Sequence, residues 1–339
     1  MTQRIAHELD GLSWESPILQ GLKEVDFFRD LLSTQAFEQE PHEEIQGFEA
    51  RTLKKHLRKT IIDYTVKFTN STKSYIGIYR ESDERLEHVF SLLKILRSNG
   101  FAEDSRLTVP RPILYMPALS FLLMGKADGE PLRYVFERKG DPTSYVKGAA
   151  QWLAKLHGSS IRLDGVRSPK DEVAASLRFT RAALWLFPRL KLEIQSISDQ
   201  LIALQEASPP RPRRPIHGDY HPRNIIASPE LTTVIDLEEA RMGDPAFDLG
   251  YFVAQTKMTH GTGQTIIQAT ESFLREYQET QPSVQGDFAR TVAVFEAQTY
   301  LQRMYHTYYL LELKPNFDQI SEWLSECKKC LRKASDQGS

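Results

Sequence analysis

Cysteine is nearly absent from this chain. Only Cys327 and Cys330 occur in 339 residues, which excludes a disulfide scaffold and fits a reducing compartment. Long apolar runs are missing as well, and no stretch approaches the ~20 residues that span a bilayer as a helix. The first residues lack a basic segment followed by an apolar one, so we expect no signal peptide and a cytoplasmic location. Charge of one sign is also missing: 43 Lys and Arg against 45 Asp and Glu leave a net charge of −2. That balance creates no global field for nucleic acid or a membrane surface, and neither is expected as a partner. No internal repeat is visible.

What remains is an ordinary globular composition, 40% hydrophobic, on a chain long enough to bury a core unaided. Residues 1–48 are acidic and interrupted by Pro17 and Pro41. Short apolar groups at 25–28 and 31–32 predict a helix or two in an N-terminal extension that packs on the rest. The basic run 51–59 carries Leu53 and Leu57 at helical spacing, so it reads as a solvated helix face or the lip of a cleft rather than a nucleic-acid patch. Residues 60–68 and 74–80, rich in β-branched and aromatic side chains around a polar turn at 69–72, predict a hairpin. Leu86, Val89, Phe90, Leu93 and Leu96 predict a helix that Gly100 stops. Two further strands are expected at 111–115 and 120–126.

From Gly129 onward the pattern is mostly helical, over 145–157, 172–206 and 248–333. Residues 208–215 form an extended loop because their prolines lack backbone donors. Short strands are expected at 215–216, 224–227 and 233–237. A small β-rich part followed by a larger helical part is an α+β, two-lobed pattern. We place the lobes at 49–126 and 127–335, with a ligand cleft expected between them.

The chemistry concentrates in His217-Gly218-Asp219-Tyr220-His221-Pro222-Arg223-Asn224 and in Asp236, which ends the apolar run Thr233-Val234-Ile235. Transfer of a phosphoryl group spreads charge over that group and needs Mg²⁺ to neutralise it. Mg²⁺ takes oxygen ligands, commonly one or two carboxylates with phosphates and water. A further carboxylate must orient the acceptor hydroxyl and take its proton. His217, Asp219 and Asn224 fall in the spacing H-x-D-x-x-x-x-N used by protein-kinase catalytic loops, and Asp236 is the later acid.

The wording of residues 217–226, with Val234-Ile235-Asp236-Leu237-Glu238 and Gly243-Asp244-Pro245-Ala246-Phe247-Asp248-Leu249, resembles the aminoglycoside phosphotransferase and choline kinase-like family. Trp152-Leu153-Ala154-Lys155-Leu156-His157 is similar to that family's LxxLH helix, and residues 124–132 to its hinge between lobes. The resemblance covers about residues 50–310 and is concentrated in 216–250. It implies a protein-kinase-like fold that moves the γ-phosphoryl group of ATP or GTP to a hydroxyl of a small molecule. Asp219 would then be the base, and Asn224 and Asp236 the Mg²⁺ ligands. Asp248 would brace the loop by accepting backbone hydrogen bonds, beside His217. His221 would touch a phosphate or the acceptor. Glu238, two residues past Asp236 in an extended chain, would share its side and support the metal or face the substrate. Met124 and Lys126 would meet the nucleotide at the hinge.

One departure stands out. The family's third strand carries a Lys that grips phosphate, whereas this strand has Ile78 in that place. Arg80 on the same strand and Lys67 on its neighbour are the candidate substitutes, with Glu87 or Glu84 as the helix partner. A glycine-rich phosphate loop is also missing. A second interpretation is therefore a nucleotide-binding pseudokinase or scaffold without turnover, and a third is nucleotidyl transfer. The acceptor classes of the family run from aminoglycosides and amino alcohols to sugars, and Glu238 and Glu239 lean towards a cationic or polyhydroxylated one. Cys327 and Cys330, without companions, suit a helix face better than a metal site. Tyr300, Tyr305, Tyr308 and Tyr309 suit core or a substrate wall.

Overall fold

The structure, a computed structural model, describes residues 16–32, 44–55, 59–81, 85–102, 105–138, 141–209, 211–261, 263–281, 287–311 and 313–336. The strands are β1 (Ile45–Lys55), β2 (Lys59–Phe68), β3 (Thr72–Arg80), β4 (Leu107–Thr108), β5 (Pro112–Met116), β6 (Phe121–Gly125), β7 (Glu130–Pro131), β8 (Arg214–Ile216), β9 (Ile225–Ala227), β10 (Thr232–Val234) and β11 (Arg241–Gly243). The helices are α1 (Pro17–Gly21), α2 (Val25–Leu32), α3 (Arg85–Ser98), α4 (Leu132–Glu137), α5 (Thr143–Gly158), α6 (Pro169–Leu186), α7 (Lys191–Glu206), α8 (Pro245–His260), α9 (Gln264–Thr280), α10 (Phe288–Met304) and α11 (Phe317–Asp336). Two units result, residues 1–97 with 110–127, and residues 98–109 with 128–339.

The first unit is built on an antiparallel sheet of order β1-β2-β3-β6-β5. Alternation in β2 and β3 sends Ile62, Tyr64, Val66, Tyr75 and Tyr79 to one face, where they pack with Phe121, Leu123 and the apolar residues of α1 and α2. Phe28 sits at the centre, its ring 5.4 Å from Tyr64 and 5.3 Å from Tyr75. The Tyr64 hydroxyl donates to the Leu22 carbonyl at 2.7 Å, which fixes the α1–α2 turn on the sheet. Gly77 is required there, because a Cβ would lie 2.7 Å from the Tyr64 and Phe121 rings.

Residues 51–55 belong to β1, not to the helix expected from Leu53 and Leu57. Arg51 pairs across Asp63 and Lys54 across Ile61, and this ladder overrides an apolar spacing of only two residues. His56, Leu57 and Arg58 lie outside the described residues, as does Glu84.

The opposite sheet face aligns Arg51, Asp63, Ile76 and Met124 in one row and Ile61, Ile78 and Leu122 in the next. Asp63 is buried and held by two cations. Arg51 donates Nη2 and Nε at 2.8 and 3.1 Å, and Lys126 Nζ reaches both carboxylate oxygens at 2.9 Å. Two charge-assisted partners let an ionised carboxylate stay out of water.

In the second unit, short strands form a sheet of order β4-β10-β9-β7 and a ribbon β11-β8. Apolar residues of α6, α7, α10 and α11 make a continuous core with Tyr300, Tyr308, Cys327 and Cys330 buried in it. The Cys327 thiol donates to the Ala297 carbonyl at 3.4 Å, and burial raises both thiols well above their ordinary pKa. Tyr309 is exposed instead. The proline-rich loop is anchored by Arg211, which bonds Asp244 and Asp287.

Phe28→Ala should cost about 3–5 kcal/mol, the usual range for emptying a buried aromatic site. Urea unfolding measures it. A loss under ~1 kcal/mol would mean that α2 does not dock on the sheet.

Candidate active site

The loop 217–224 runs between β8 and β9, and its shape follows from a single acid. Asp248, in the first turn of α8, is fully buried. Its Oδ2 accepts the His217 N–H at 2.7 Å and its Oδ1 accepts the Gly218 N–H at 2.9 Å. His157 Nε2, at the end of α5, lies 3.1 Å from the same carboxylate. Burial would raise the Asp248 carboxyl, but the His157 hydrogen bond and the charges of His157 and His217 outweigh it and hold the group below its ordinary value. His157 Nδ1 in turn meets the Tyr277 hydroxyl at 2.8 Å.

His217 is oriented by the loop it belongs to. Its Nε2 lies 3.0 Å from the Ile235 carbonyl, and its Nδ1 accepts the Asp219 N–H at 3.2 Å. That pair of partners holds the imidazole in a fixed orientation. Gly218 adopts φ +81°, and a Cβ there would lie 2.3 Å from the Glu239 carbonyl oxygen. Only glycine fits. Tyr220 anchors the turn from below: it is fully buried, stacks 5.9 Å from Trp152, and donates to the Ala149 carbonyl at 2.7 Å.

Asp219 is thereby presented with its side chain 31% exposed. Asn224 Nδ2 donates to its carbonyl at 3.0 Å and to Oδ2 at 3.2 Å, and His221 Nε2 stands 3.5 Å from Oδ2. Partial burial would raise the Asp219 carboxyl. The hydrogen bond and charge of His221, the Tyr251 hydroxyl and the charge of His217 reverse that and lower it to about 2.

The β9–β10 hairpin brings the next acid alongside. Val234 pairs with Ile225, and the Ile235 N–H donates to the Asn224 carbonyl at 2.9 Å. Asp236 follows at φ 62°, ψ 60°, a left-handed conformation that costs a non-glycine residue energy and recurs at functional sites. Its side chain is exposed. Asn224 spends its amide N–H groups on Asp219, which leaves the amide oxygen as a donor atom for a cation. Asn224 and Asp236 thus supply oxygen donors only, the set that suits Mg²⁺. Among the described residues no trio of His, Cys, Asp or Glu forms a closed metal cage.

Three expected placements differ from the structure. The chain is not extended past Asp236, because a 3₁₀ turn at Leu237–Glu239 follows. Glu238 is therefore not carried to the side of Asp236 by strand alternation, and Glu239 is engaged by Arg241 Nη1 at 3.3 Å. Lys67 pairs opposite Thr72, six residues along β3 from Ile78. At ~3.3 Å per residue that is about 20 Å, beyond the reach of a side chain. Arg80 shares the face of Ile78, as expected from alternation, while Glu87 is exposed in the first turn of α3. Met124 lies in the row of Asp63, and Lys126 bonds Asp63.

Sequence reasoning did not assign roles to His157, Tyr251 and Trp152. His157 had a signal, as the last residue of the LxxLH run. Tyr251 had a weaker one: it follows Asp248 by three residues on α8, one helical turn along.

A family model described as the phosphotransferase enzyme family matches residues 43–271, more than half of the chain. The chain belongs to this family. A methylthioribose kinase of Bacillus thuringiensis (strain Al Hakam) is 37% identical over 84 residues, 25% of this chain and 20% of that protein. The chain thus spans about a fifth of the length of the curated relatives it matches. Among solved structures, a choline/ethanolamine kinase family protein from Mesorhizobium loti is similar with a TM-score of 0.57 and 14% identity, covering 91% of this chain and 95% of that one. A thermostable mutant of an aminoglycoside phosphotransferase, solved as a ternary complex with AMP-PNP and hygromycin B, gives a TM-score of 0.59 at 13% identity, covering 91% and 99%. At these identities the two structures show the fold, which is kinase-like.

The depressed Asp219 carboxyl has a measurable consequence. Its folded value of about 2 lies below the ~3.9 of an unfolded chain, so its contribution to stability is full above about pH 4 and is lost as pH falls through 2. Between pH 4 and 2 the unfolding free energy of the wild type should fall by about 2 kcal/mol more than that of Asp219→Asn. Parallel stability curves for the two proteins would contradict this.

Proposed function

We propose that the chain is a Mg²⁺-dependent phosphotransferase that moves the γ-phosphoryl group of ATP, or GTP, to a hydroxyl of a small molecule. The observation that carries the proposal is the convergence in the second unit of Asp219, Asn224 and the strained Asp236, held by the buried Asp248. Asp219 orients the acceptor hydroxyl and receives its proton. Asn224 and Asp236 would hold the metal, whose chemistry is to neutralise charge on the transferred group. The ligands in the aminoglycoside phosphotransferase complex, AMP-PNP and hygromycin B, support a nucleotide and a hydroxylated acceptor for this family member as well.

The first unit contributes an ammonium despite Ile78. Asp63 shares the sheet face of Ile78, two residues away in register, and it fixes Lys126. A Lys oriented by an acid is what a phosphate grip requires. Within the first unit, Lys126 is our candidate for the role of the missing strand Lys. Ile78 is the best support for the pseudokinase alternative.

Asp219→Asn and Asp236→Asn should each abolish ADP production while leaving circular dichroism unchanged. ATP with Mg²⁺ should raise the wild-type melting temperature. Full turnover in either variant sinks the assignment, and binding without turnover across a hydroxyl panel favours the scaffold. In Lys126→Met the KM for ATP should rise about tenfold or more, the loss of one charge-assisted contact. An unchanged KM removes Lys126 from the nucleotide site.

A further inference from the structure

Beside Asp219 lies a small cavity lined by Arg133, His221, Arg223, Gln255, His260 and Arg303, with Pro222 and Thr259. It shares its wall with the candidate base. His221 contacts Asp219, and Gln255 hydrogen-bonds Tyr251, which itself bonds Asp219. No acidic side chain lines it. Among the described residues no carboxylate pairs with the guanidinium of Arg133, Arg223 or Arg303. Arg133 only bonds and stacks on the Tyr134 ring beside it.

Some arginines of the same unit are neutralised by acids. Arg241 is paired with Glu239, Arg211 with Asp244 and Asp287, and Arg167 with Glu172. At the cavity three arginines stand together without such a partner. His260 adds an independent sign: its Nε2 is buried and has no hydrogen-bond partner. Burial and the charges of Arg223 and Arg133 lower the His260 pKa, although Glu137 opposes them. Positive charge is therefore already in excess there. The cavity measures about 50 Å³, room for one small group at the ~10–15 Å³ each ordered water needs.

We propose that this cavity is an acceptor subsite for one anionic group, a carboxylate or a phosphate monoester, so that the acceptor is an acidic hydroxyl compound of the sugar-acid or sugar-phosphate class. The inference rests on the phosphotransferase assignment and narrows its acceptor. Planar guanidinium groups match both anions bidentately. An anion seated on Arg223 and Arg303 lies beside Asp219, so a hydroxyl a few bonds away reaches the base. The buried Nε2 of His260 gains its missing partner in the same event. Uncompensated like charges repel one another, and an anionic ligand relieves that repulsion where a cationic aminoglycoside would add to it.

Four matched acceptors test this: glucose, glucuronate, glucose 6-phosphate and glucosamine. Each is offered with ATP and Mg²⁺ and followed by ADP release. Each is also titrated calorimetrically, without nucleotide, into wild type, Arg223→Gln and Arg223→Gln/Arg303→Gln. Glucuronate or glucose 6-phosphate should bind at least about tenfold more tightly than glucose or glucosamine, and the variants should lose that margin. Which of the two anions wins separates carboxylate from phosphate. Arg223 is exposed, so its single variant still reports if the double variant fails to fold. Equal binding of all four, tighter glucosamine binding, or a margin kept by the variants overturns the subsite and leaves phosphotransfer standing. Weaker ATP binding in the variants with acceptor order unchanged assigns the arginines to the nucleotide and also overturns it. Anion binding that depends on the arginines, without ADP release from any acceptor, supports the subsite and instead counts against the kinase assignment.

Discussion

The fully buried carboxylate of Asp248 is the constraint on which the catalytic loop depends. A charge at that depth survives only when it is well hydrogen-bonded, and its partners are two successive backbone N–H groups and one imidazole. Accepting from His217 and Gly218 together forces the chain into a tight turn, and the turn is open only to a glycine at 218. Asp219 is then delivered to the surface by backbone geometry rather than by its own contacts. His157 and Tyr277 extend the same hydrogen-bonded chain into α5 and α9. The loop therefore inherits the rigidity of two helices, which is what positioning catalysis asks of a scaffold.

The parts legible in the sequence were those where chemistry and periodicity coincide. His217, Asp219, Asn224 and Asp236 sit at fixed offsets between short apolar strands, and the β9–β10 ladder joins them as the spacing implies. Strands β2, β3, β5 and β6 of the first unit and the long helices also followed from alternation and three- and four-residue steps. What escaped depended on partners distant in sequence. Leu53 and Leu57 suggested a helix until the register with β2 claimed residues 51–55. Glu238 seemed to share a side with Asp236 only if the chain stayed extended, and the left-handed Asp236 ends the strand. The set Arg133, Arg223 and Arg303 comes from three separate segments with no common spacing, so no linear pattern could have gathered it.

Ile78 marks where this chain departs from its family's pattern, and the proposed substitute is Lys126. What a phosphate grip needs is an ammonium at the right place, restrained by an acid so that its rotamer entropy is spent before the ligand arrives. Asp63 restrains Lys126 on the same sheet face as Ile78, just past the end of β6 rather than in the middle of β3. Arg51 on the other side lets Asp63 remain ionised whether or not Lys126 turns towards a ligand. A buried acid with a single cationic partner would lack that freedom, because losing the partner would strand its charge.

The electrostatics around Asp219 bear on the kind of catalysis proposed for the loop. A carboxylate with a pKa of about 2 is a weak proton acceptor, so it contributes little driving force for removing a hydroxyl proton early. It is well suited to orienting that hydroxyl while the transferred group dissociates, and to receiving the proton once the new bond forms, as a loose transition state allows. His221 is among the causes of the depression and also lines the cationic cavity. The field that keeps Asp219 ionised is thus of the sign that attracts an anionic acceptor.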